Sequence, residues 1–395
     1  MKIQHDPIPV EPLKPSVLYC DYAATSPIPA AVQNTIENML MEYYNPSSMY
    51  QQAKNLSTVL WAGRNYLATI MGAKPERFYF TSGGSEANNW IINSWAQEGK
   101  ANGKMHIVST MIEHPSVLIP LANLESQGFK LSLVRPDENG IVSPEQIEKE
   151  IREDTAFVTV MFANNEIGTL QPISEIGNIC RKHNVLFHTD AVQAVGHIPV
   201  DITKQNIDAL SFSSHKFGGM KGVGGLVCGE RVNLMPMILG GGQEFGMRSG
   251  TENTIGMIST IEAFRESYID IYSKSAALYI TQQKLLTLIK TIPDVKVNAD
   301  LHIDKLPNNI NVSFKGISGQ SLALMMAGDG ILVSTQSACS VNSGKHSHVL
   351  EAIGVPEEYI DGTIRITFGR ELSEDEIHRI YNSIKTNVEK LRSVN

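Results

Sequence analysis

The segment Ser213-Ser214-His215-Lys216-Phe217-Gly218-Gly219-Met220 sets a lysine, a histidine and two hydroxyls directly after a short apolar run, 208–212. A lysine held where a strand gives way to a tight turn is rigid and partly desolvated, and desolvation makes its amine a usable nucleophile toward carbonyls. Ser213 and His215 are donors of the kind that hold a phosphate, and the glycines that follow, through Gly225, let backbone approach a ligand closely. Other segments carry related chemistry. Thr81-Ser82-Gly83-Gly84-Ser85 reads as a strand-to-helix turn whose N–H groups, with the Ser85 hydroxyl, can cradle an anion; an ordinary tight turn has the same composition. Asp190, in His188-Thr189-Asp190-Ala191-Val192-Gln193, suits either a carboxylate facing a cationic ring nitrogen or a helix N-cap. His114, in Glu113-His114-Pro115, can stack on a planar ligand or serve as a structural histidine, and Asn164-Asn165-Glu166-Ile167-Gly168 offers amide donors. Cys180, His183, His188 and Asp190 match no metal-ligand spacing, so no metal is expected.

Each of these groups follows a strand-like run. Strand patterns fall at 77–80, 106–110, 131–134, 157–162, 185–189, 209–212 and 225–227, with helical or turn segments between most of them. That rhythm predicts an α/β domain built on a mostly parallel sheet, and in such sheets ligands bind beyond the strand ends. Ahead of it, 29–43 and 53–72 read as helices. After Gly240-Gly241-Gly242 the rhythm changes: 254–292 is a long helical run stopped by Pro293. Strands at 295–297, 310–314, 331–334 and 363–367, with helices at 318–326 and 373–391, then form a smaller α+β domain. The expected division is 19–270 and 271–395, with the boundary inside the long helix. Residues 1–18, with prolines at 7, 9, 12 and 15, read as an extended arm packed on the smaller unit.

The totals exclude several function classes. A length of 395 residues calls for two domains, and 42% hydrophobic with 19% charged residues describes an ordinary globular chain. A net charge of −8 argues against nucleic-acid binding by phosphate neutralisation. No apolar run is long enough to span a bilayer and the start lacks the apolar centre of a signal peptide, so the cytoplasm is the expected location. The four cysteines, Cys20, Cys180, Cys228 and Cys339, are scattered and form no CxxC pair. Three read as packed thiols; Cys339, in the polar, glycine- and serine-rich stretch 336–344, reads as the reactive one.

Taken in order, these segments resemble the cysteine desulfurases of the NifS/IscS type, in the class V branch of the fold-type I pyridoxal-phosphate enzymes. The resemblance extends to Tyr19-Cys20-Asp21-Tyr22-Ala23-Ala24-Thr25, Gly240-Gly241-Gly242-Gln243-Glu244, Met247-Arg248-Ser249-Gly250-Thr251, Ser337-Ala338-Cys339-Ser340 and Ile364-Arg365-Ile366-Thr367. It implies a seven-stranded sheet, a homodimer and pyridoxal 5′-phosphate as cofactor. Lys216 would hold the cofactor as a Schiff base and later move the α-proton. Gly84, Ser85, Ser213 and His215 would hold the phosphate, with Thr251 crossing from the other subunit. His114 would stack on the ring, Asp190 would pair with its nitrogen, and Asn165 and Gln193 would bond near its phenolic oxygen. Arg365 would clamp the substrate carboxylate, as a bidentate guanidinium suits. Cys339 would attack the sulfur of L-cysteine, taking it as a persulfide for an acceptor protein and releasing alanine.

The chain also departs from the family. Ser340-Val341-Asn342-Ser343-Gly344 stands where a Ser-Leu-Glu-Pro type sequence is usual, Ser214 replaces a common glycine, and Gly218-Gly219-Met220 replaces Tyr-Gly-Pro. The long tail with which IscS-type enzymes dock an iron–sulfur scaffold has no counterpart after Leu391. The acceptor is accordingly open among an iron–sulfur scaffold, a tRNA-thiolating enzyme and a DNA-phosphorothioation enzyme. A selenocysteine lyase or a class V aminotransferase is the alternative on the same scaffold. A non-catalytic binding paralogue would have no reason to keep Lys216, Asp190, Arg365 and Cys339 together.

Overall fold

The computed structural model describes residues 16–299, 304–335 and 346–393. In chain order the elements are β1 (Leu18–Tyr19), α1 (Ala30–Met39), α2 (Gln51–Ile70), β2 (Phe78–Thr81), α3 (Gly84–Ala101), β3 (His106–Thr110), α4 (Pro115–Ser126), β4 (Lys130–Val134), α5 (Pro144–Glu150), β5 (Thr155–Thr159), α6 (Ile173–Lys182), β6 (Leu186–Asp190), β7 (Ala209–Ser213) and β8 (Gly224–Cys228). There follow α7 (Thr254–Tyr268), α8 (Ile271–Ile289), β9 (Val295–Val297), β10 (Asn309–Phe314), α9 (Gly319–Gly328), β11 (Ile331–Leu332), α10 (His348–Ala352), α11 (Glu357–Ile360), β12 (Thr363–Thr367) and α12 (Glu374–Ser393).

Seven strands form one sheet in the order β2-β8-β7-β6-β5-β3-β4, in which β8 alone runs antiparallel to its neighbours. Successive strand residues feed opposite faces. Phe78, Phe80, Val108, Val158 and Leu210 join one core with α2, α6 and α7, while Tyr79, Ile107, Phe157 and Ala209 join another under α3 and α4. Because both faces are covered, the central strands are continuous apolar runs rather than alternating ones. A second sheet, β12-β10-β9, is antiparallel and packs with α8, α9 and α12 around Leu285, Ile310, Val312, Phe314, Ile364, Ile366 and Ile380.

The N-terminal segment ties the two sheets together. Leu18 and Cys20 are buried in the second core, and β1 pairs in parallel with β11. Tyr22 N–H then donates to Thr367 O at 3.3 Å, and Ala23 N–H to Thr367 Oγ1 at 2.9 Å. Residues 21–26 thereby arrive at the end of β7.

Several boundaries differ from the sequence expectation. The first helix ends at Met39. β5 is regular only to Thr159, although Val160 N–H and Phe162 N–H still donate to His188 O and Asp190 O of β6 at 3.1 and 2.9 Å. The long run 254–292 is two helices: Ile269 turns extended at ψ 119° and Asp270 adopts a left-handed φ of 54°. The strand expected at 331–334 is two residues long. Among the described residues no helix is long and apolar enough to cross a membrane.

Candidate active site

The strand ends converge on a cavity of ≈ 290 Å³ lined by Gly84, Ser85, His114, Asn165, Asp190, Gln193, Ser213, His215, Lys216 and Arg365, together with Ala23 and Ala24. Ten residues singled out from the sequence are therefore neighbours in space.

The anion cradle is the N-terminus of α3, eighteen residues long, entered directly from β2. Exposed N–H groups and the helix dipole favour negative charge there. The cradle is closely fitted: a Cβ on Gly84 would lie 2.5 Å from Val192 Cγ2, and one on Gly224 would lie 2.7 Å from Gly83 Cα. Ser213 closes β7 beside it. His215 Nδ1 lies 3.2 Å from Thr25 Oγ1; burial, then Lys216 and Lys221, push its pKa down to about 4, so it is neutral.

Lys216 is gripped at both ends by the turn 21–26. Its Nζ donates to Ala23 O at 2.7 Å and Ala24 O at 2.9 Å. Its carbonyl accepts from Ser26 Oγ at 2.6 Å and from the half-buried His197 Nε2 at 3.0 Å. Gln193 Nε2 donates to the same Ala23 O at 3.0 Å.

Asp190 ends β6 and is tied into a network that no motif announced. Asn88 Nδ2 donates to Asp190 Oδ2 at 2.6 Å and to Ser116 Oγ at 2.9 Å, while Val192 N–H donates to Asp190 Oδ1 at 3.0 Å. Ser116 in turn meets His114: its N–H donates to Nδ1 at 3.1 Å and its Oγ lies 2.7 Å away. Since that N–H can only donate, Nδ1 is the unprotonated nitrogen and Nε2 carries the proton. Burial lowers the His114 pKa, with Asp190 opposing and Lys216 and His348 reinforcing the shift. Asn88 sits one helical turn beyond Gly84, a spacing that puts both on one face of α3.

Beneath His114, Glu113 is fully buried. Its Oε1 accepts from Thr110 Oγ1 at 2.7 Å and Met161 N–H at 2.8 Å, and Oε2 has no partner among the described residues. Burial pushes its pKa up to about 8.

Arg365 reaches the cavity from the second sheet, its side chain only 2% exposed. Nη1 donates to Asn165 O at 2.8 Å and Nη2 to Asp21 Oδ1 at 2.8 Å, while Nε has no partner among the described residues. It sits in β12, opposite Asn311 and bridged to Ser334.

Cys339 lies outside the described residues. The chain on either side of it is fixed at the cavity rim: Ser334 exchanges backbone bonds with Arg365, Ser347 Oγ donates to Glu166 Oε2, and His348 Nε2 donates to Glu113 O at 3.0 Å. Thr251 is not part of its own chain's cavity; it is exposed on the loop before α7. The remaining thiols Cys20, Cys180 and Cys228 are buried, and burial pushes those of Cys20 and Cys228 up to about 12. His188, between Thr159 Oγ1 and Ser211 Oγ, is buried and held neutral, its pKa down to about 3.

An anion cradle with no room for a Cβ, a lysine amine, a buried carboxylate and a neutral imidazole on one wall are the donor set that pyridoxal 5′-phosphate requires. They fit it.

The profile of the class-V aminotransferase family matches residues 18–380. A cysteine desulfurase IscS of Methanosarcina thermophila is 40% identical over 378 residues, covering 95% of this chain and 93% of its own. A NifS-like protein superposes with a TM-score of 0.88 at 34% identity, over 95% of this chain and 100% of the other. The structure of SspA in complex with cysteine superposes with a TM-score of 0.80 at 32% identity, over 90% and 100%. The chain thus belongs to the class-V aminotransferase family of pyridoxal-phosphate enzymes and, within it, to the cysteine desulfurases of the NifS/IscS type.

Proposed function

We infer that this chain is a homodimeric cysteine desulfurase that moves the sulfur of L-cysteine to Cys339 as a persulfide and releases L-alanine. The observation that carries the reading is the single cavity in which Lys216, Asp190 and His114 on one wall face Arg365 on the other. Pyridoxal phosphate, when bound, supplies the electron sink that makes loss of the substrate α-proton feasible. Gly84, Ser85, Ser213 and His215 would hold its phosphate, Lys216 would anchor it, and Asp190 would face its ring nitrogen and favour the protonated form. Asn165 and Gln193 would offer it amide donors. Arg365 would receive the substrate carboxylate, and the Lys216 amine would take the α-proton.

The Cys339 thiolate attacks the substrate sulfur. An S–S bond forms, the substrate C–S bond breaks, and its electron pair goes to the β-carbon, which takes up a proton to become the methyl group of alanine, while the proton taken by Lys216 returns to the α-carbon. The transferred sulfur is oxidised and the carbon reduced, so no outside oxidant or reductant is needed. An acceptor protein, whether an iron–sulfur scaffold or an enzyme thiolating tRNA or DNA, then removes the persulfide sulfur.

Exposed apolar side chains support the dimer: Met41, Tyr43 and Met49 around the α1–α2 connection are 75%, 83% and 87% exposed, and Leu239 on the loop that leads to Thr251 is 82% exposed. A protein that works through a free thiolate suits the reducing cytoplasm. Alanine released from L-cysteine by the wild type and by Cys339→Ala tests the reading. Release by the wild type with little from the variant is expected; equal release would sink the persulfide route.

A further inference from the structure

The loop before α7 is held under strain by a buried ion pair that the chemistry above does not use. Arg64, on the inner face of α2, bonds both oxygens of Glu244, Nη1 to Oε2 at 2.8 Å and Nη2 to Oε1. The same guanidinium donates to Phe78 O and lies between the rings of Phe80 and Phe245, 5.0 and 5.2 Å from their centroids. Glu244 Oε2 also accepts the Phe80 N–H at 2.8 Å. The two charged side chains are 8% and 6% exposed. Glu244 and Phe245 both adopt left-handed backbone, φ 49° and 60°, a conformation that non-glycine residues avoid and that persists only where the surroundings impose it. Lower on the loop, Arg248 bonds Glu86 in the first turn of α3, Nε to Oε1 at 2.9 Å and Nη2 to Oε2 at 3.2 Å. Two ion pairs thus pin the loop to β2 and to the anion cradle, yet Thr251 at its end is exposed and does not line the cavity of its own chain.

We propose that Arg64 is a positioning residue for the cofactor site of the second subunit: by gripping Glu244 in a left-handed turn it sets where Thr251 leaves the surface. This rests on the dimer reading in which Thr251 crosses to the other subunit's phosphate. Arg64 also braces β2 through Phe78 O, so a purely structural role would weaken the site in its own chain.

Hybrid dimers separate the two roles. One chain carries Lys216→Ala, leaving a single lysine-bearing site per dimer, and that site is titrated with pyridoxal phosphate by absorbance. Arg64→Met is placed either on the Lys216→Ala chain, whose loop serves the intact site, or on the other chain; Arg64→Lys replaces it if the Met variant does not fold. Weakening of about tenfold is expected in the first arrangement, the scale of one charge-assisted hydrogen bond, and none in the second. Equal weakening in both, weakening in the second only, or none in either overturns the proposal. Thr251→Ala in the same two arrangements tests the underlying reading: without a loss specific to the first arrangement, it is the crossed loop that fails, whatever Arg64→Met does.

Discussion

The two walls of the cavity are built differently. On the lysine wall Asp190, Asn88, Ser116 and His114 form a chain of side-chain hydrogen bonds, all carried on strand ends and helix starts of one sheet. On the arginine wall one cation is held by three segments remote in sequence: β12 supplies Arg365, Asn165 a carbonyl and Asp21 a carboxylate. In the proposed reading the wall of preorganised side chains acts on the charge that develops during reaction, whereas the single guanidinium acts on the carboxylate that the substrate carries throughout. Damage to the two walls should therefore appear in different kinetic constants.

The larger effect belongs to the lysine wall. Asp190→Asn keeps the shape and the Val192 N–H bond but removes the negative charge, and kcat should fall by roughly 10²–10³-fold, the scale of losing one preorganised electrostatic partner. A loss confined to KM would show that Asp190 serves only binding. Arg365→Lys keeps the charge but not the fork, so Asn165 O and Asp21 cannot both be satisfied. Its KM for L-cysteine should rise about tenfold to a hundredfold with kcat little changed, since interactions made equally in ground and transition states are lost from KM alone. If both variants lost kcat alone, the contrast between the walls would be wrong.

The contrast also explains what was legible. Lys216, His215 and Ser213 stand together in sequence because one strand-to-turn transition delivers them all, and the seven-strand rhythm follows from buried β-branched and aromatic runs. Asp21 was visible as part of a matching segment but carried no role, because its partner lies 344 residues away and only the fold joins them. Asn88 was hidden for a different reason: an asparagine inside a helix reads as a neutral surface residue until the helix face is known. His197 and Ser26 act on a backbone carbonyl, which no side-chain pattern encodes. The break at Asp270 was missed because apolar residues recur on both sides of it, and a single left-handed residue leaves that spacing intact.

Glu113 offers the finest probe of the lysine wall, because its carboxyl lies behind Met161 with one oxygen unpartnered and Asp190 near enough to oppose its ionisation. In the unfolded chain it gives up its proton near the ordinary glutamate value, about 4.3. In the folded protein it keeps that proton to about pH 8. Between those values the folded state holds one proton more than the unfolded state, so this group's contribution to stability is fully present at low pH and is lost as pH rises through the window. Glu113→Gln cannot titrate, yet its amide oxygen can still accept from Thr110 Oγ1 and Met161 N–H. In thermal melts from pH 4 to 9 the gap in Tm between variant and wild type should therefore drift in the variant's favour as pH rises, then level off near pH 8. Parallel curves would mean that Glu113 is already ionised in the folded protein, and the lysine wall would then hold two negative charges, Glu113 and Asp190, instead of the one on which the reading of Asp190 depends.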